Sequence, residues 1–403
     1  MIFVMIAKRD VIQRDTYLQK LIPFMQKDLI KVIMGQRRVG KSYILLQIME
    51  YLKKEKGVKS EEIIYLNLED IEWNHIKTYL ELYQTIKDFK YIFIDEIQEV
   101  EEWERALRDL QNKWIYDIYI TWSNSTLLSG ELTTFLWWRY KSLHVYPLNY
   151  KEFLFFHKLE SSSDSLMKFI KYGGLPYLKH LSLEDSVVYE YLKDVSRYIL
   201  IDDIIQRKNI RNIKFYTDLI TFIASETGSI FSAKSISDYL VNQKNSISSN
   251  TVWDYLKYAT EACFLNEVSR YDINGKKYFE LFQKYYFTDI WIKNALLWGI
   301  PRTKIQGVLE NVVYCDMVSK WWDVSIGEIN KKEVDFICRK DGKVKYLQVA
   351  YKLELEETKN REFASLLEIP DAWEKYILTM EDWDESTIDG IHIMNIWDYM
   401  LNH

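Results

Sequence analysis

Short apolar runs alternate with helical patterns between residues 29 and about 150. Four of these runs are strand-like: LIKVIMG, EIIYLNLED, YIFIDE and IYDIYIT. Strands separated by helical stretches are typical of a parallel sheet with helices on its faces. The pattern therefore predicts an α/β fold for this part of the chain, preceded by an amphipathic helical segment over residues 1–28.

The pattern changes beyond residue 150. Helical segments predominate up to about residue 300, interrupted by Gly173-Gly174-Leu175-Pro176 and followed by a hairpin signal at Asn274-Gly275. Short strands alternate with helical pieces from residue 301 onward. We predict four parts: an α/β domain with its preceding helix (1–150), a helical lid or connector (151–210), a helical segment with a hairpin (211–300) and a small α/β domain (301–403).

The composition is that of an ordinary globular protein. Of 403 residues, 48% are hydrophobic and 28% charged, which excludes a mainly disordered chain. The net charge of −6 excludes a chain-wide attraction to nucleic acid or anionic membranes. Cys263, Cys315 and Cys338 form no metal-binding or disulfide pattern, so we expect buried thiols. With no apolar run of membrane-spanning length and no signal peptide, we predict a cytoplasmic protein without a membrane partner.

A glycine-containing loop connects the first predicted strand to the helical run YILLQIMEYLKK. Its sequence matches GxxxxGK[ST], and the strand before it and the helix after it are the context that this motif requires. Backbone N–H groups of such a loop surround phosphates, while the lysine reaches the β- and γ-phosphates and the hydroxyl binds Mg²⁺. The predicted phosphate-binding residues are Gly35, Gln36, Arg37, Arg38, Val39, Gly40, Lys41 and Ser42.

Two carboxylates end the apolar strand YIFIDE. A strand that ends in Asp-Glu is often only a solvated turn, but the preceding loop motif favours a catalytic interpretation. Asp95 is predicted to hold Mg²⁺ together with Ser42, and Glu96 to act as the general base that activates water.

Polar residues also follow the next strand. Asn124, and with it Ser123, is a candidate for contact with the γ-phosphate or the attacking water; the alternative is a loop residue that caps the next helix. Arg139 is a candidate transition-state arginine, acting within the chain or across a subunit interface. The alternative for Arg139 is an ordinary surface arginine.

These stretches resemble a known family, the prokaryotic predicted ATPases of the AAA type with an uncharacterised C-terminal domain. The resemblance spans nearly the whole chain and rests on GQRRVGKS, FIDEIQEVEEWERALR, ITWSNSTLLSGEL, WRYKSLHVYPLNYKEFL, YGGLPYL, KYYFTDI and KKEVDFI. It implies binding of ATP with Mg²⁺ and ATP hydrolysis. It also implies a winged-helix-like part and a C-terminal part similar to the PD-(D/E)xK nuclease fold.

Tryptophan stands in this chain where the family has glycine. There are 14 Trp and only 13 Gly, and the affected positions are Trp114, Trp122, Trp138, Trp291 and Trp321. Replacing the smallest side chain with the largest at turns is physically unfavourable. Our hypothesis is that UGA codons meaning glycine were translated as tryptophan; the alternative is genuine tryptophan with compensating repacking. In the latter case we expect Trp122 to crowd the γ-phosphate.

Three short helices and a hairpin outline a winged helix between residues 211 and 300. The predicted hairpin strands, residues 268–272 and 276–281, flank Asn274-Gly275. Ten Lys and Arg against nine Asp and Glu give this segment a net charge of only +1, a weak footprint for phosphate contacts. Lys276 and Lys277 at the hairpin are candidate backbone contacts. Double-stranded DNA and a protein partner therefore both stay open.

The C-terminal part has an incomplete nuclease pattern. Glu310 and Asp335 are two candidate metal-binding acids, but Gln348 stands where the second strand acid belongs and Ala350 where the lysine belongs, with Lys352 two residues later. An amide binds Mg²⁺ less well than a carboxylate, so we expect an inactive, degenerate fold.

The sequence thus predicts an ATP-binding protein, an Mg²⁺-dependent P-loop ATPase that drives rearrangement of its C-terminal domains. The predicted fold class is α/β, a P-loop NTPase parallel sheet followed by a helical, winged-helix segment and a small nuclease-like α/β domain. Two alternatives remain open: an ATP-dependent switch or interaction protein with little turnover, and an ATP-gated nuclease. An oligomer that supplies arginine between subunits is compatible with the sequence but not indicated by it.

Overall fold

The structure is a computed structural model. The structure describes residues 12–123, 139–231, 234, 236, 248–279, 283–297, 299, 304–353 and 356–403. The chain divides into two compact units, an N-terminal unit of Met1–Tyr146 with Glu261–Cys263, and a C-terminal unit of Pro147–Thr260 with Phe264–His403.

The N-terminal unit contains a five-stranded parallel sheet in the order β2-β3-β4-β1-β5. The strands β1 and β3 are buried along their whole length, as a sheet covered on both faces requires. The predicted P-loop NTPase α/β fold is thereby confirmed. Its elements are α1 (Asp15–Leu21), β1 (Ile30–Met34), α2 (Lys41–Lys56), β2 (Ile63–Asn67), α3 (Tyr79–Ile86), β3 (Tyr91–Asp95), α4 (Trp103–Gln111), β4 (Asp117–Trp122) and β5 (Tyr140–His144).

The segment before β1 is less helical than predicted. The helix α1 ends at Leu21, and a single 3₁₀ turn, Ile22–Phe24, follows it. Pro23 occupies this turn, and proline has no backbone N–H with which to continue an α-helix. Residues 25–29 then lead into β1 through turns and bends.

The C-terminal unit begins with a set of helices and continues into a mixed α/β region. No helix in the described ranges is long and apolar enough to cross a lipid bilayer. The elements up to residue 297 are α5 (Tyr150–His157), α6 (Ser163–Tyr172), α7 (Asp185–Tyr198), α8 (Ile213–Ser225), β6 (Ile230–Phe231), α9 (Ser249–Glu261), β7 (Leu265–Val268), β8 (Arg270–Asp272), β9 (Lys277–Tyr278), β10 (Gln283–Phe287) and α10 (Ile290–Leu297).

The remaining elements form most of a larger sheet. They are α11 (Ile305–Ser319), β11 (Asp323–Ile329), β12 (Lys332–Lys340), β13 (Lys343–Ala350), α12 (Glu356–Leu367), β14 (Glu374–Thr379), β15 (Ser386–Ile388), β16 (Ile391–Asn395) and α13 (Ile396–Asn402). Eight strands pair in the order β15-β16-β14-β13-β12-β11-β8-β9, and β6-β10-β7 form a separate antiparallel sheet. One apolar cluster covers the α11 side of the larger sheet and another the α12 side.

The hairpin at Asn274-Gly275 is present, but its strands differ from the prediction. Four residues form the turn, because Asp272 pairs with Lys277. The Asp272 carboxylate accepts backbone N–H groups of Asn274 and Gly275 at 3.1 and 2.9 Å, which stabilises the turn. The predicted strand 268–272 is divided between the two sheets: β7 pairs with β10, whereas β8 pairs with β11.

Candidate functional site

The glycine loop lies between β1 and α2, at the carboxyl end of the parallel sheet. Gly35 has φ 148°, and a Cβ atom there would lie 2.2 Å from the carbonyl oxygen of Val145. Gly40, with φ 98°, directly precedes α2. Both positions need glycine, one for close approach of two backbone segments and both for their left-handed φ. The loop therefore brings backbone N–H groups to the N-terminus of α2 without side chains in the way.

The other loop residues differ in environment. Gln36 and Val39 are fully buried, whereas Arg38 is exposed and adopts φ 67°. The Arg37 guanidinium lies 2.7 Å from the Glu69 carboxylate, which holds that side chain at the rim of the loop.

Lys41 is buried among oxygen atoms. Its Nζ donates to Ser123 Oγ at 2.8 Å and to the carbonyl oxygens of Gly35 and Gln36 at 3.2 Å each. The Glu96 carboxylate lies 3.7 Å from the same nitrogen. A buried ammonium requires this kind of compensation. These partners are groups that a phosphate oxygen can replace one for one.

Asp95 is the last residue of β3 and is almost completely buried. Its carboxylate accepts hydrogen bonds from the hydroxyls of Tyr65 (3.2 Å), Thr121 and Ser42. Burial raises the pKa of Asp95 above its ordinary value, and the hydrogen bonds from Ser42 and Thr121 oppose that rise. The oxygens of Ser42 and Asp95 are thus adjacent, and hydroxyl and carboxylate oxygens are the ligands that Mg²⁺ prefers. These residues fit the predicted Mg²⁺ site.

Glu96 is held in a strained backbone conformation with φ 55°. Its carboxylate accepts hydrogen bonds from Ser123 Oγ at 2.6 and 2.7 Å and from the side-chain amide of Gln98. Burial by itself would raise the pKa of Glu96, but the charge of Lys41 and these hydrogen bonds outweigh it and lower the pKa. Glu96 is therefore an ionised carboxylate next to a lysine, as a general base for water must be.

The strand β4 brings two further side chains to the site, because it lies between β1 and β3. Thr121 and Ser123 are two residues apart and therefore face the same side. The Thr121 hydroxyl accepts the backbone N–H of Glu96 at 2.8 Å, and Ser123 bridges Lys41 and Glu96. Sequence reasoning named Ser123 only as second to Asn124, which lies outside the described residues, and missed Thr121. The polar alternation along the end of β4 was the available signal.

Trp122 faces the opposite side of the strand. Its ring lies 5.8 Å from that of Trp103 and belongs to the apolar core of the sheet. The expectation that Trp122 crowds the γ-phosphate is wrong, because strand alternation turns its side chain away from Thr121 and Ser123.

Arg139 lies at the other edge of the sheet. It directly precedes β5, and its carbonyl accepts the N–H of Ile30, at the amino end of the parallel strand β1. Its guanidinium donates to Asn112 at 3.0 Å and lies over the Trp114 ring. The glycine loop follows the opposite end of β1, about 16 Å away at ~3.3 Å per residue. The predicted role of Arg139 within its own chain is therefore wrong; a role across a subunit interface stays a prediction.

Arg14 is a supporting residue that sequence reasoning missed. It is buried, and its guanidinium donates to the carbonyl oxygens of Val39 (3.1 Å) and Tyr146 (3.0 Å) and to the Tyr17 hydroxyl (3.2 Å). The Arg14 guanidinium thus ties the glycine loop to the segments that contain Tyr17 and Tyr146. No local motif surrounds Arg14, so only the tertiary structure reveals this contact.

The C-terminal residues of the nuclease pattern are only partly brought together. Glu310, Glu333 and Asp335 lie around the Lys284 ammonium, which sequence reasoning did not connect with them. Lys352 instead lines a cleft with Tyr351 and other residues that follow β13 and β14. Gln348 contacts the backbone N–H of Asp335 at 3.2 Å.

The strand order, the glycine loop and the paired carboxylates are those of a P-loop NTPase fold. Residues 27–154 match the family model described as AAA domain, and residues 163–303 match a domain of unknown function, DUF8612. The C-terminal part beyond these residues carries neither match.

Two relatives match almost the whole chain. An uncharacterised protein of Haemophilus influenzae is 34% identical, over 97% of this chain and 99% of that protein. The uncharacterised protein MJ1544 of Methanocaldococcus jannaschii is 30% identical, over 98% of this chain and 92% of that protein. This chain belongs to the same family as these two proteins.

Solved structures are more distantly similar. The Walker-type ATPase PABY2304 of Pyrococcus abyssi matches with a TM-score of 0.47 and 15% identity, over 70% of this chain and 94% of that one. The Orc1 protein of Aeropyrum pernix, solved in complex with DNA, matches with a TM-score of 0.33 and 11% identity, over 72% of this chain and 95% of that one.

Proposed function

We propose that the N-terminal unit binds ATP with Mg²⁺ and hydrolyses it. The observation that carries the proposal is the continuous hydrogen-bonded chain from Lys41 through Ser123 to Glu96, next to the Ser42–Asp95 pair. A phosphate-binding lysine, a metal-binding pair and an ionised base at one edge of a parallel sheet are the parts that phosphoryl transfer to water needs.

Nucleotide binding begins at the glycine loop. The N–H groups of the loop and the N-terminus of α2 surround the phosphates, and Lys41 exchanges its bonds to Ser123 and the loop carbonyls for phosphate oxygens. Ser42 and Asp95 would hold Mg²⁺, which would supply neutralisation of the phosphate charge when bound. Arg14 keeps the loop in place from the other side.

Glu96 then activates water. Once Lys41 turns to the phosphates, Ser123 and Glu96 are released from it, and the ionised Glu96 carboxylate accepts a proton from a water placed in line with the γ-phosphate. The water oxygen forms a bond to phosphorus while the bond to the β-phosphate oxygen breaks. The proton resides on Glu96, and ADP and phosphate are the products.

Steady-state phosphate release from Mg-ATP tests the proposal. We expect turnover in the wild type, loss of nucleotide binding and turnover in Lys41→Ala, and loss of turnover with retained binding in Glu96→Gln. The exposed Glu101 supplies the matched control, Glu101→Gln, which we expect to behave as wild type. Turnover that survives in Glu96→Gln would contradict the assigned base.

The output of turnover is, in this proposal, a rearrangement of the C-terminal parts, and the alternative is a nucleotide-dependent switch with little turnover. Limited proteolysis in the presence of Mg-ATP distinguishes the two alternatives. If ATP hydrolysis drives a rearrangement, the proteolysis pattern of the wild type changes with Mg-ATP and reverts as ATP is consumed, whereas the pattern of Glu96→Gln does not revert. A switch gives the same stable pattern in both.

Double-stranded DNA is a second candidate partner, favoured by one surface. The element order α8, β6, α9, β7 and β10 agrees with a winged helix, and α9 exposes Trp253 with the Lys257 ammonium over its ring. Exposed aromatic and basic side chains on such a helix suit contact with nucleic acid. We expect DNA to stimulate phosphate release if this surface binds it, and the double variant Trp253→Ala, Lys257→Glu to abolish the stimulation while leaving basal turnover unchanged.

A further inference from the structure

Lys284 lies inside the C-terminal unit, surrounded by acidic side chains. It is 2% exposed, on β10, and its Nζ lies 3.1 Å from Glu310 on α11 and 2.6 Å from Glu333 on β12. Tyr286, two residues along the same face of β10, donates its hydroxyl to Glu310 at 2.9 Å. One strand of the three-stranded sheet thus supplies both a cation and a hydrogen-bond donor to this acidic pocket.

The third carboxylate, Asp335, completes the pocket. Burial and the neighbouring charges of Glu310 and Glu333 raise the pKa of Asp335 well above its ordinary value, although Lys284 opposes the rise. Asp335 accepts the Val349 N–H at 2.8 Å. The raised pKa of Asp335 favours its neutral form, which reduces the excess of acidic charge around the Lys284 ammonium.

The position that a second metal-binding acid would need is also occupied. The Gln348 amide oxygen accepts the Asp335 N–H, and its nitrogen donates to Glu362 at 2.6 Å. Both ends of the amide are therefore in use. Among the residues that the structure describes, no group of three Asp, Glu, His or Cys side chains has the geometry to hold a metal ion.

We propose that Lys284 is a built-in cation that takes the place of a metal ion in this pocket, and that Lys284, Tyr286, Glu310 and Glu333 form an ionic clamp that fastens β10 to α11 and β12. The clamp joins the three-stranded sheet to the eight-stranded sheet. The acidic side chains then serve to join the two sheets of this unit rather than to support metal-dependent hydrolysis.

Urea unfolding of lysine variants tests the clamp. Lys284→Met keeps the length of the side chain and removes its charge, and Lys343→Met at an exposed position of β13 is the matched control. We expect a large fall in the unfolding midpoint for Lys284→Met and no change for Lys343→Met. If Lys284→Met does not fold, Glu333→Gln, at the partly exposed rim, lowers the midpoint of an otherwise folded protein.

Two outcomes would overturn the proposal. The first is a Lys284→Met protein as stable as the Lys343→Met control. The second is binding of Mn²⁺ by the wild type, or Mn²⁺-dependent cleavage of DNA, that disappears in Glu310→Gln. The clamp predicts that neither occurs, and that adding Glu333→Gln to Lys284→Met recovers part of the lost stability because it removes an uncompensated carboxylate.

A second, independent observation concerns tryptophan. Trp321 has φ 68° just beyond the end of α11, where its N–H bonds to the Val318 carbonyl at 3.0 Å and the next N–H, of Trp322, bonds to the Met317 carbonyl at 3.1 Å. This pair of bonds is the Schellman arrangement, whose left-handed residue is usually glycine. Trp114, three residues past α4, also has φ 60°. Such a conformation is an outlier for a bulky residue.

Two further tryptophans are buried with unsatisfied polar atoms. The indole N–H groups of Trp122 and Trp291 have no hydrogen-bond partner in the described part of the chain, although buried tryptophan usually has one. We infer that positions 114 and 321, where the backbone is left-handed, are glycine positions, and that the functional protein carries glycine there. This agrees with a reading of UGA as glycine; position 138 lies outside the described residues.

Mass spectrometry of the protein purified from the cells that encode it tests this inference directly. Peptides that span positions 114 and 321 are expected to carry glycine, and tryptophan in them would overturn the inference. A matched pair gives a second measurement: Trp321→Gly is expected to keep or raise the unfolding midpoint, whereas Trp322→Gly, which removes a side chain packed on the core, lowers it.

Discussion

Two of the buried lysines that face carboxylates, Lys41 and Lys284, differ in what can replace their partners. Lys41 lies beside a glycine loop, and its partners are a hydroxyl, two carbonyl oxygens and Glu96. Lys284 lies inside a packed pocket between Glu310 and Glu333. The first arrangement leaves the lysine free to exchange its bonds for those of a phosphate. The second offers no such exchange, because its partners belong to different elements that the lysine holds together.

An ion pair by itself therefore does not indicate a catalytic site. Burying a lysine among carboxylates is costly unless every charge is balanced, and removing one partner leaves an unpaired buried charge. In the proposed function an incoming nucleotide takes over as the partner of Lys41 in the N-terminal unit, whereas in the C-terminal unit the protein supplies the partners of Lys284 itself. The surrounding backbone decides which case applies.

The largest expected effect separates the two carboxylates that face these lysines. Glu96→Gln removes the proposed general base, so we expect the rate constant for phosphate release to fall by about 10²–10⁴-fold, an effect much larger than its cost in free energy of unfolding. Glu333→Gln is the counterpart, and we expect lower stability with unchanged turnover. Equal effects of the two substitutions on phosphate release would break the comparison.

A smaller effect concerns the glycine loop. Gly35→Ala places a Cβ 2.2 Å from the Val145 carbonyl oxygen, whereas Gly57→Ala, also at positive φ, meets nothing within 4 Å. We expect Gly57→Ala to cost about 1 kcal/mol of unfolding free energy from its left-handed conformation alone. Gly35→Ala should cost clearly more and also abolish nucleotide binding, as measured by urea unfolding and by binding of a fluorescent ATP analogue. Similar costs at both positions would remove the steric argument for the loop.

The pH dependence of stability distinguishes the two sites in sign. The pKa of Asp335 is raised in the folded state, so its contribution to stability is complete below the ordinary pKa of aspartate, about 3.9, and is lost as the pH rises toward the folded value. The pKa of Glu96 is lowered, so its contribution is present above about 4.3 and is lost as the pH falls.

Asp335→Asn isolates the first contribution. We expect this variant to gain stability relative to the wild type as the pH rises from about 4 to about 8, in urea unfolding at a series of pH values. A constant difference between variant and wild type over that range would show that Asp335 titrates normally and would weaken the account of the clamp.

The smallest effect concerns Arg139, at the far edge of the sheet from Lys41. If Arg139 has no role between subunits, Arg139→Ala should change phosphate release by less than about twofold, equivalent to roughly 0.4 kcal/mol. Assays over a range of protein concentrations give the control. A large loss that appears only at concentrations where the protein associates would identify Arg139 as an arginine supplied by a neighbouring subunit.

Local sequence patterns predicted the parts of the fold that local patterns determine. The apolar runs around Val32, Ile64, Phe93 and Ile120 form strands of the parallel sheet, since each run is long enough to be buried in a strand. The loop motif and the Asp95-Glu96 pair are each contained in one short stretch of sequence. The two stretches lie close together in the structure because of the strand order of the sheet.

The remainder depends on contacts between distant residues. Arg14 reaches Val39 and Tyr146, and Lys284 reaches Glu310, although nothing near either residue in the sequence indicates a partner. The division of the strand at 268–272 between two sheets likewise follows from pairing with β10 and β11, which local alternation does not encode. Arg139 was misjudged because its position depends on the register of β5 against β1.

The most direct test of the account is steady-state phosphate release from Mg-ATP, measured per folded molecule for the matched variants Lys41→Met and Lys284→Met. Lys41→Met is expected to lose turnover by at least about 10²-fold and to lose less free energy of unfolding than Lys284→Met, because only one carboxylate faces Lys41. Lys284→Met should lose stability and keep the turnover of each folded molecule within about twofold of wild type. Turnover that survives in Lys41→Met, or that disappears from folded Lys284→Met, would contradict the division between an exchangeable lysine and a structural one.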